Sequence, residues 1–519
     1  MRLLFLFSLS ISSYIVAIGQ GQDAETIKGK IVDTQSGAPI PFATVRLRKD
    51  KEVYGVISNG NGDFQIPLKY KALFDTLAIS CIGYVTNKLK INQLSDSEIN
   101  TIRLQASALQ LPEVVIKGKT NGKLTALKIV KAAIATIPLN YPTHANSYLA
   151  YYRDYQMQEN QYTNLNEAIV EIFDEGFNAN DQLTTGVSLY DYKKNNVFPR
   201  DSTTEIAYDN DYGNKFIPGA ILFPFGGNEL SILRIHDAIR NNKMFSYSYV
   251  NEFANDFTNN HFFKLLEAVY LNNVPLYHIS FRSKPAASGS DHFAKGDMYI
   301  EHGNYAIHRF DYSTYEGERS TAKMLYNIQV EYSRLDSLMH LNYISFNNFF
   351  KLRDPRDFKV VDILLDRSIN AFIVTFNNKP ERQSAMNKEN YDFSFDDKKL
   401  VIERIEIPGR RDTQVYLYLG QDLAPRDSPL TIGQRVKAEF KGIKDIHGKE
   451  VNKITYIPVN QFREIFVQKL TSHATRFGDS LYIHRNEPLS QNRVRHDPYN
   501  DISNYWMNTP LKGKDKQDE

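Results

Sequence analysis

Short runs of alternating apolar and polar residues mark the first hundred positions. Ile27, Gly29 and Ile31 fall on one side of such a run. Ala43, Val45 and Leu47 fall on one side of the next, with Thr44, Arg46 and Arg48 turned the other way. Leu77, Ile79 and Cys81 repeat the pattern, and Ile102 and Leu104 close it. Successive side chains of a strand point to opposite faces, so this period of two predicts half-buried strands. Gln35-Ser36-Gly37-Ala38-Pro39 and Asn59-Gly60-Asn61-Gly62-Asp63 separate the runs with turn residues. Short strands punctuated in this way predict a β-sandwich over 25–105.

The period then changes. Leu124, Leu127, Val130, Ile134 and Ile137 follow helical spacing between Gly122 and Pro138, which predicts an amphipathic helix over 123–137. A second helix is expected over Asn228–Arg240. Alternation returns in Tyr277, Ile279 and Phe281, in Met298 and Ile300, in Ala306, His308, Phe310 and Tyr312, and in Tyr326, Ile328, Val330 and Tyr332. Asn272-Asn273 suits a hairpin turn and His302-Gly303-Asn304 another. Further strands are expected at Phe358–Ile363, Ala371–Phe376, Leu400–Ile407, Val415–Leu419 and Val436–Phe440. The chain therefore divides into a sandwich (25–105), a linker (106–121), an α+β domain with an antiparallel sheet (122–355), a second sandwich (356–457), and a C-terminal strand or arm packed on another domain with a disordered tail (458–519). The fold class is mainly β and multidomain.

Composition supports this picture and narrows the function. The 519 residues include 32 Tyr and 31 Phe against one Trp, and both ring types favour strands. Lys plus Arg number 62 and Asp plus Glu 60, a balance that gives no electrostatic case for nucleic acid. Met1-Arg2, an apolar stretch from Leu3 to Ile18, and small residues at Ala17 and Gly19 form a secretory pattern. A signal peptide is expected over 1–19, with a mature chain starting near Gln20. Ser8, Ser10, Ser12 and Ser13 interrupt the stretch, which is short for a membrane span of about 20 residues. No later stretch is long and apolar enough to cross a bilayer as a helix. The single cysteine, Cys81, can form no internal disulfide, so an exported chain must be held by its core alone.

Four segments resemble known families. Gly29-Lys30-Ile31-Val32-Asp33, Gly37, Pro39, Pro41, Ala43-Thr44-Val45, Asn61-Gly62-Asp63-Phe64 and Ile82-Gly83-Tyr84 resemble the carboxypeptidase regulatory-like domain. That resemblance implies a seven-stranded transthyretin-like sandwich, common at the N-terminus of Gram-negative envelope proteins. Leu111-Pro112-Glu113-Val114-Val115-Ile116-Lys117-Gly118 is similar to the connector before the plug of TonB-dependent receptors. A receptor barrel would need apolar, aromatic closing strands, whereas the chain closes on Lys512-Gly513-Lys514-Asp515-Lys516-Gln517-Asp518-Glu519, so a receptor is not expected. Tyr277-His278-Ile279-Ser280-Phe281, Gly296-Asp297-Met298-Tyr299-Ile300-Glu301 and Tyr305-Ala306-Ile307-His308-Arg309-Phe310 resemble the sheet of periplasmic lipoprotein carriers, which implies a half-barrel wrapped on helices. Ile369–Phe376, Pro380, Asn390-Tyr391, Val415-Tyr416-Leu417, Val436–Phe440 and the turn Gly442–Lys449 are similar to bacterial Ig-like domains, modules that space or bind.

Candidate chemistry is sparse. No nucleophile-elbow, phosphate-loop or zinc-protease motif occurs; Gly118 to Gly122-Lys123 is one residue short of a phosphate loop. His447 and Glu450 have the spacing of a zinc pair, but Gly448 places them in a turn and only 69 residues follow Glu450. His292, His302 and His308 lie near one another in sequence, though strands and loops should scatter them. Asn59, Asn61 and Asp63 could begin a calcium loop; Pro67, Leu68 and Tyr70 stand where later ligands belong, so a hairpin turn is expected. Glu167 and Glu171 share a face on a helix or a strand, and the expectation is solvated charge. No catalytic, cofactor or metal residue is assigned. The chain reads as a non-enzymatic binding or scaffolding protein of the Gram-negative envelope, in the periplasm or at the outer membrane. A carrier of lipid or lipoprotein and a hydrolase without a recognisable motif are the alternatives. The partners expected are an envelope protein, a glycan or a lipid.

Overall fold

The alternating runs at the start of the chain form strands, as their period requires. The structure, a computed structural model, describes residues 26–49, 52–107, 124–158, 161–205, 215–216, 228–409, 412–422, 435–495 and 505–511. The expected signal peptide, the 111–118 connector, the Gly118–Lys123 segment and the charged tail from 512 lie outside them. The first domain comprises β1 (Thr26–Asp33), β2 (Thr44–Lys49), β3 (Glu52–Ile57), β4 (Asp63–Pro67), the short helix α1 (Tyr70–Leu73), β5 (Thr76–Ser80), β6 (Asn87–Lys90) and β7 (Asn100–Leu104). Sheet β4-β1-β7 faces sheet β3-β2-β5-β6. The residues that alternate in sequence, among them Ile31, Val45, Leu47, Leu77, Ile79 and Leu104, meet between the two sheets. The turn into β4 needs Gly62: its φ is +76°, and a Cβ there would lie 2.5 Å from the Ile31 carbonyl oxygen.

The central domain opens on α2 (Ala126–Ala135), capped by Thr125, whose hydroxyl accepts from the Lys128 amide at 3.3 Å. The expected helix over 123–137 is shorter at both described ends, and a turn of helix α3 (Ile137–Asn140) follows it. Pro138 does not simply stop the helix; it sits in the first turn of α3, where a missing N–H costs nothing. Then come β8 (Asn146–Gln158), β9 (Gln161–Asp174), α4 (Asp181–Thr184), β10 (Gly186–Lys194), β11 (Lys215–Phe216), α5 (Glu229–Ile235) and α6 (Phe257–Asn260). The helix expected to reach Arg240 ends at Ile235, because the Asp237 carboxylate takes the Ile239 and Arg240 amides into a turn. Strands β12 (His261–Leu265), β13 (Val269–Leu271), β14 (Val274–Ser283), β15 (His292–Glu301), β16 (Ile307–Glu316), β17 (Lys323–Leu335) and β18 (Leu338–Arg353) complete this stretch. Asn272 and Asn273 turn β13 into β14 at φ +51° and +66°, the left-handed pair that a two-residue hairpin requires.

A second sandwich follows: β19 (Val360–Asp366), β20 (Ala371–Phe376), β21 (Tyr391–Phe395), β22 (Lys398–Lys399), β23 (Ile402–Glu406), β24 (Gln414–Leu419) and β25 (Val436–Phe440). Sheets β19-β20-β24-β23 and β22-β21-β25 enclose Phe358, Phe372, Val374, Phe393, Val415 and Leu417. The chain then returns as β26 (Tyr456–Ser472): of the strand or arm expected here the strand forms, and it pairs within the central sheet rather than packing on it. β26 is an inner strand of the central sheet, whose order is β10-β9-β8-β26-β18-β17-β16-β15-β14-β12. Arg463, Glu464 and Gln468 give β26 a polar sequence, yet all three are buried through pairing with neighbours. Arg353 at the end of β18 pairs with Tyr456 at the start of β26. The second sandwich is thus inserted into one hairpin of the central sheet.

The two faces of that sheet are covered differently. On the inner face Tyr277, Ile279, Phe281, Met298, Phe310, Ile328 and Phe346 pack with Ile129, Leu233 and Phe257 of α2, α5 and α6 into one buried cluster. Part of the outer face carries the first domain: Arg46 donates to Ser333 at 2.6 Å, and Asn342 donates to Thr44 at 3.1 Å. Residues 505–511 run between the two as a strap. The Trp506 indole donates to the Gln65 carbonyl at 2.7 Å, the Asn508 side chain donates to the Ile57 carbonyl at 3.0 Å, and Gln468 donates to the Trp506 carbonyl at 2.6 Å.

Candidate functional site

Strand register builds an open groove on the outer face of β12, β14, β15 and β16. Lys264, Ser280, Asp297 and Asp311 stand opposite one another in one row. Phe262, Arg282, Lys295 and Ser313 form the next, and Phe293 faces Tyr315 in a third. Period two sends these side chains away from the packed inner face. With Arg319 they line a groove of about 910 Å³. Phe293 and Tyr315 stack at 5.0 Å with their planes 10° apart. Cations lie against the rings: Arg282 5.3 Å from the Phe262 centroid, Lys295 4.8 Å from that of Tyr315, and Arg319 5.9 Å from that of Phe293.

Charge in this groove is unevenly matched. Its two carboxylates are engaged, Asp297 by His278 at 2.8 Å and Asp311 by Arg309 at 2.9 Å. Burial raises the Asp311 carboxyl above its ordinary value, against the pull of Arg309. Lys264, Arg282, Lys295 and Arg319 form no ion pair with a carboxylate among the described residues. Arg282 and Lys295 are direct cross-strand partners, an arrangement of like charges that destabilises a sheet.

A second polar cluster lies near α4 and α5. Arg240 donates to both oxygens of Asp174 at 2.8 and 2.7 Å, Arg234 pairs with Asp181, and the Tyr332 hydroxyl donates to Asp237 at 2.6 Å. Burial opposes ionisation of Asp174, but the Arg240 hydrogen bonds and charge hold its carboxyl below the usual value. Burial raises Asp237 and lowers nearby His340 to about 4. The enclosed space is about 30 Å³, room for roughly one water.

The residues singled out in the sequence are dispersed. Glu167 and Glu171 share a face of β9; Glu167 is fully buried and Glu171 half-buried. Glu167 accepts from Tyr151 at 2.6 Å, Asn195 at 2.7 Å and Thr509 of the strap at 2.7 Å. Glu171 accepts from Ser147 at 2.5 Å and Tyr190 at 2.7 Å. The expectation of solvated charge fails at Glu167, where β9 is covered on both sides. His447 is exposed in the turn at Gly448, its amide donating to Asp445 at 2.9 Å, and Glu450 faces Lys453. His302 stacks on Tyr277 at 3.7 Å and His308 bonds Glu301 at 2.8 Å. His292 begins β15, about 30 Å along the strand from them at ~3.3 Å per residue. The Asn59 side-chain oxygen accepts from the Asn61 and Asp63 amides, both at 2.9 Å, which spends it on the turn. Among the described residues no three His, Cys, Asp or Glu side chains converge as a metal site requires. The groove cations were missed because alternation assigns faces, whereas the register that aligns Arg282 with Lys295 depends on loop lengths.

The fold and this surface define a mainly β, multidomain protein, with one sandwich ahead of a large central sheet and a second inserted into it. Residues 27–116 match the family model of the CarboxypepD_reg-like domain, as the motifs from Gly29 to Tyr84 imply. A crystal structure of a DUF1329 family protein from Desulfovibrio piger is 8% identical over 43% of this chain and 87% of its own, with a TM-score of 0.21. An outer membrane lipoprotein-sorting protein domain from Vibrio parahaemolyticus is 10% identical over 43% of this chain and 85% of its own, with a TM-score of 0.18. No curated protein matches the chain significantly. Among the described residues no helix is long and apolar enough to cross a membrane, which says nothing of strands.

Proposed function

We propose that the protein is an exported, non-enzymatic binding or scaffolding protein of the Gram-negative cell envelope, and that the outer-face groove is its binding surface. The observation that carries this reading is the set of four cations without carboxylate partners around an open cleft, Lys264, Arg282, Lys295 and Arg319. Charges elsewhere in the domain are spent on internal structure, as at Arg153–Glu464 and Arg240–Asp174. The candidate acid–base pair, Glu167 and Glu171, is engaged in holding strands and strap together. A lipid carrier needs an apolar enclosure, and the inner face, where one would form, packs on its helices.

Fractionation and retention on isolated envelopes test this. Mature protein beginning near Gln20 should be recovered outside the cytoplasm. The double variant Arg282→Glu, Lys295→Glu should lose most of its retention on washed envelopes while keeping the thermal midpoint of the parent. Full-length chain in the cytosol, or equal retention of the folded variant, would overturn the proposal.

A further inference from the structure

We infer that the groove binds an acidic oligosaccharide, a short glycan whose sugar rings carry carboxylates. This deepens the binding-protein reading and rests on it. The first ground is the cationic pair itself. Arg282 and Lys295 stand side by side in register, and their repulsion is left without a carboxylate among the described residues. An anion between them relieves it. Arg282 lies against Phe262, a placement that leaves the guanidinium edge open to accept a carboxylate through two parallel N–H bonds.

The second ground is the floor. Ser280 stands between Lys264 and Asp297 in one row, and Ser313 stands beside Lys295 in the next. Ser313 accepts from Asn327 at 2.9 Å and keeps its hydroxyl proton to donate. Asp297, held through one oxygen by His278, and Asp311, both of whose oxygens accept from Arg309, retain acceptor lone pairs on the same floor. Short donors and acceptors alternating beneath fixed cations match a ligand bearing many hydroxyls and regularly spaced acids.

Other anions fit less well. An acyl chain needs a dry enclosure, and this groove is open while the inner face is filled. An acidic peptide gains affinity on a sheet by adding to an edge; the edge here is β12, whereas the Arg282–Lys295 pair lies on β14 and β15, whose backbone groups are committed to neighbours on both sides.

Isothermal titration of the full mature chain with a tetrasaccharide of uronic acids tests the assignment. A neutral tetrasaccharide of glucose, poly-glutamate, and vesicles of phosphatidylglycerol serve as the contrasting ligands. The uronate ligand should bind saturably, at least tenfold tighter than the neutral one, and tenfold more weakly in 0.5 M salt. Arg282→Gln with Lys295→Gln should weaken it at least tenfold. If that pair fails to fold, the loop variant Arg319→Gln should still weaken it several-fold. Tighter binding of poly-glutamate or vesicles, or uronate binding indifferent to these variants, overturns the assignment. Loss of envelope retention in the groove variant without uronate binding sinks the ligand class alone. Loss of neither effect in the variants sinks the binding-surface reading as well.

Discussion

Burial of ionisable side chains gives the clearest predictions at the scale of the residue. His236 lies against Phe346 at 3.9 Å between ring centroids, and burial lowers its pKa to about 4; burial does the same to His261. In the unfolded chain a histidine titrates near 6.5. Between those values the unfolded state binds more protons, so stability is present above about 6.5 and is lost as pH falls toward 4. Glu229 works in the opposite direction. Burial, reinforced by Asp154, raises it to about 7, so its contribution is present below its ordinary value and is lost as pH rises to 7. A denaturation series should therefore show a steep fall in stability from pH 6.5 to 4, shallower in His236→Leu. Glu229→Gln should flatten the opposing slope between pH 5 and 7, by up to about 3 kcal/mol. Unchanged slopes in both variants would show that these groups titrate normally in the fold. Glu167 illustrates what sequence can and cannot show at this scale. Its spacing from Glu171 was legible, but one of its partners, Thr509, is 342 positions away. Glu167→Ala should cost about 1–3 kcal/mol through the stranded donors of Tyr151 and Asn195, measured by chemical denaturation.

Among the elements, legibility followed exposure. A strand with one wet face, such as Val436–Phe440, has the boundaries that alternation predicts. β8, β9 and β26 offered no such signal. Helices cover one of their sides and the first domain with its strap the other, so Tyr148 to Tyr155 are buried without interruption, and a strand buried on both faces loses its period. The strap itself was readable only as the lone tryptophan. Trp506 sits in the core of the first domain, 5.3 Å from the Tyr70 ring, while its own backbone bonds Gln468 and nearby Thr509 reaches Glu167 of the central sheet. Trp506→Ala should cost about 3–5 kcal/mol and, on limited proteolysis, release a fragment near residues 25–105 sooner than from the parent chain. Equal proteolysis rates would mean that the strap does not hold the two domains together.

For the whole molecule, the inserted sandwich is the informative feature. Its two connections leave the central sheet at a single point, where the Asp354 amide donates to the Thr455 carbonyl at 3.0 Å. Replacing residues 354–455 with Asn-Gly should close β18 onto β26 as an ordinary hairpin. The shortened chain should unfold cooperatively and bind the groove's ligand as tightly as the parent. Failure to fold would show that the sandwich contributes more than a connection. The same topology sets an order in time. When the chain has been made as far as Arg353, β8–β10 and β12–β18 can each pair among themselves, but β8 and β18 both present an edge that awaits β26. The filler strand arrives only after the intervening sandwich, several seconds later at ~5–20 residues per second. Through that interval the nascent sheet exists as two halves with long, apolar borders, the kind of surface on which chains stick to one another. Yield in the cell should therefore depend on how well those borders are shielded until residues 456–472 join them.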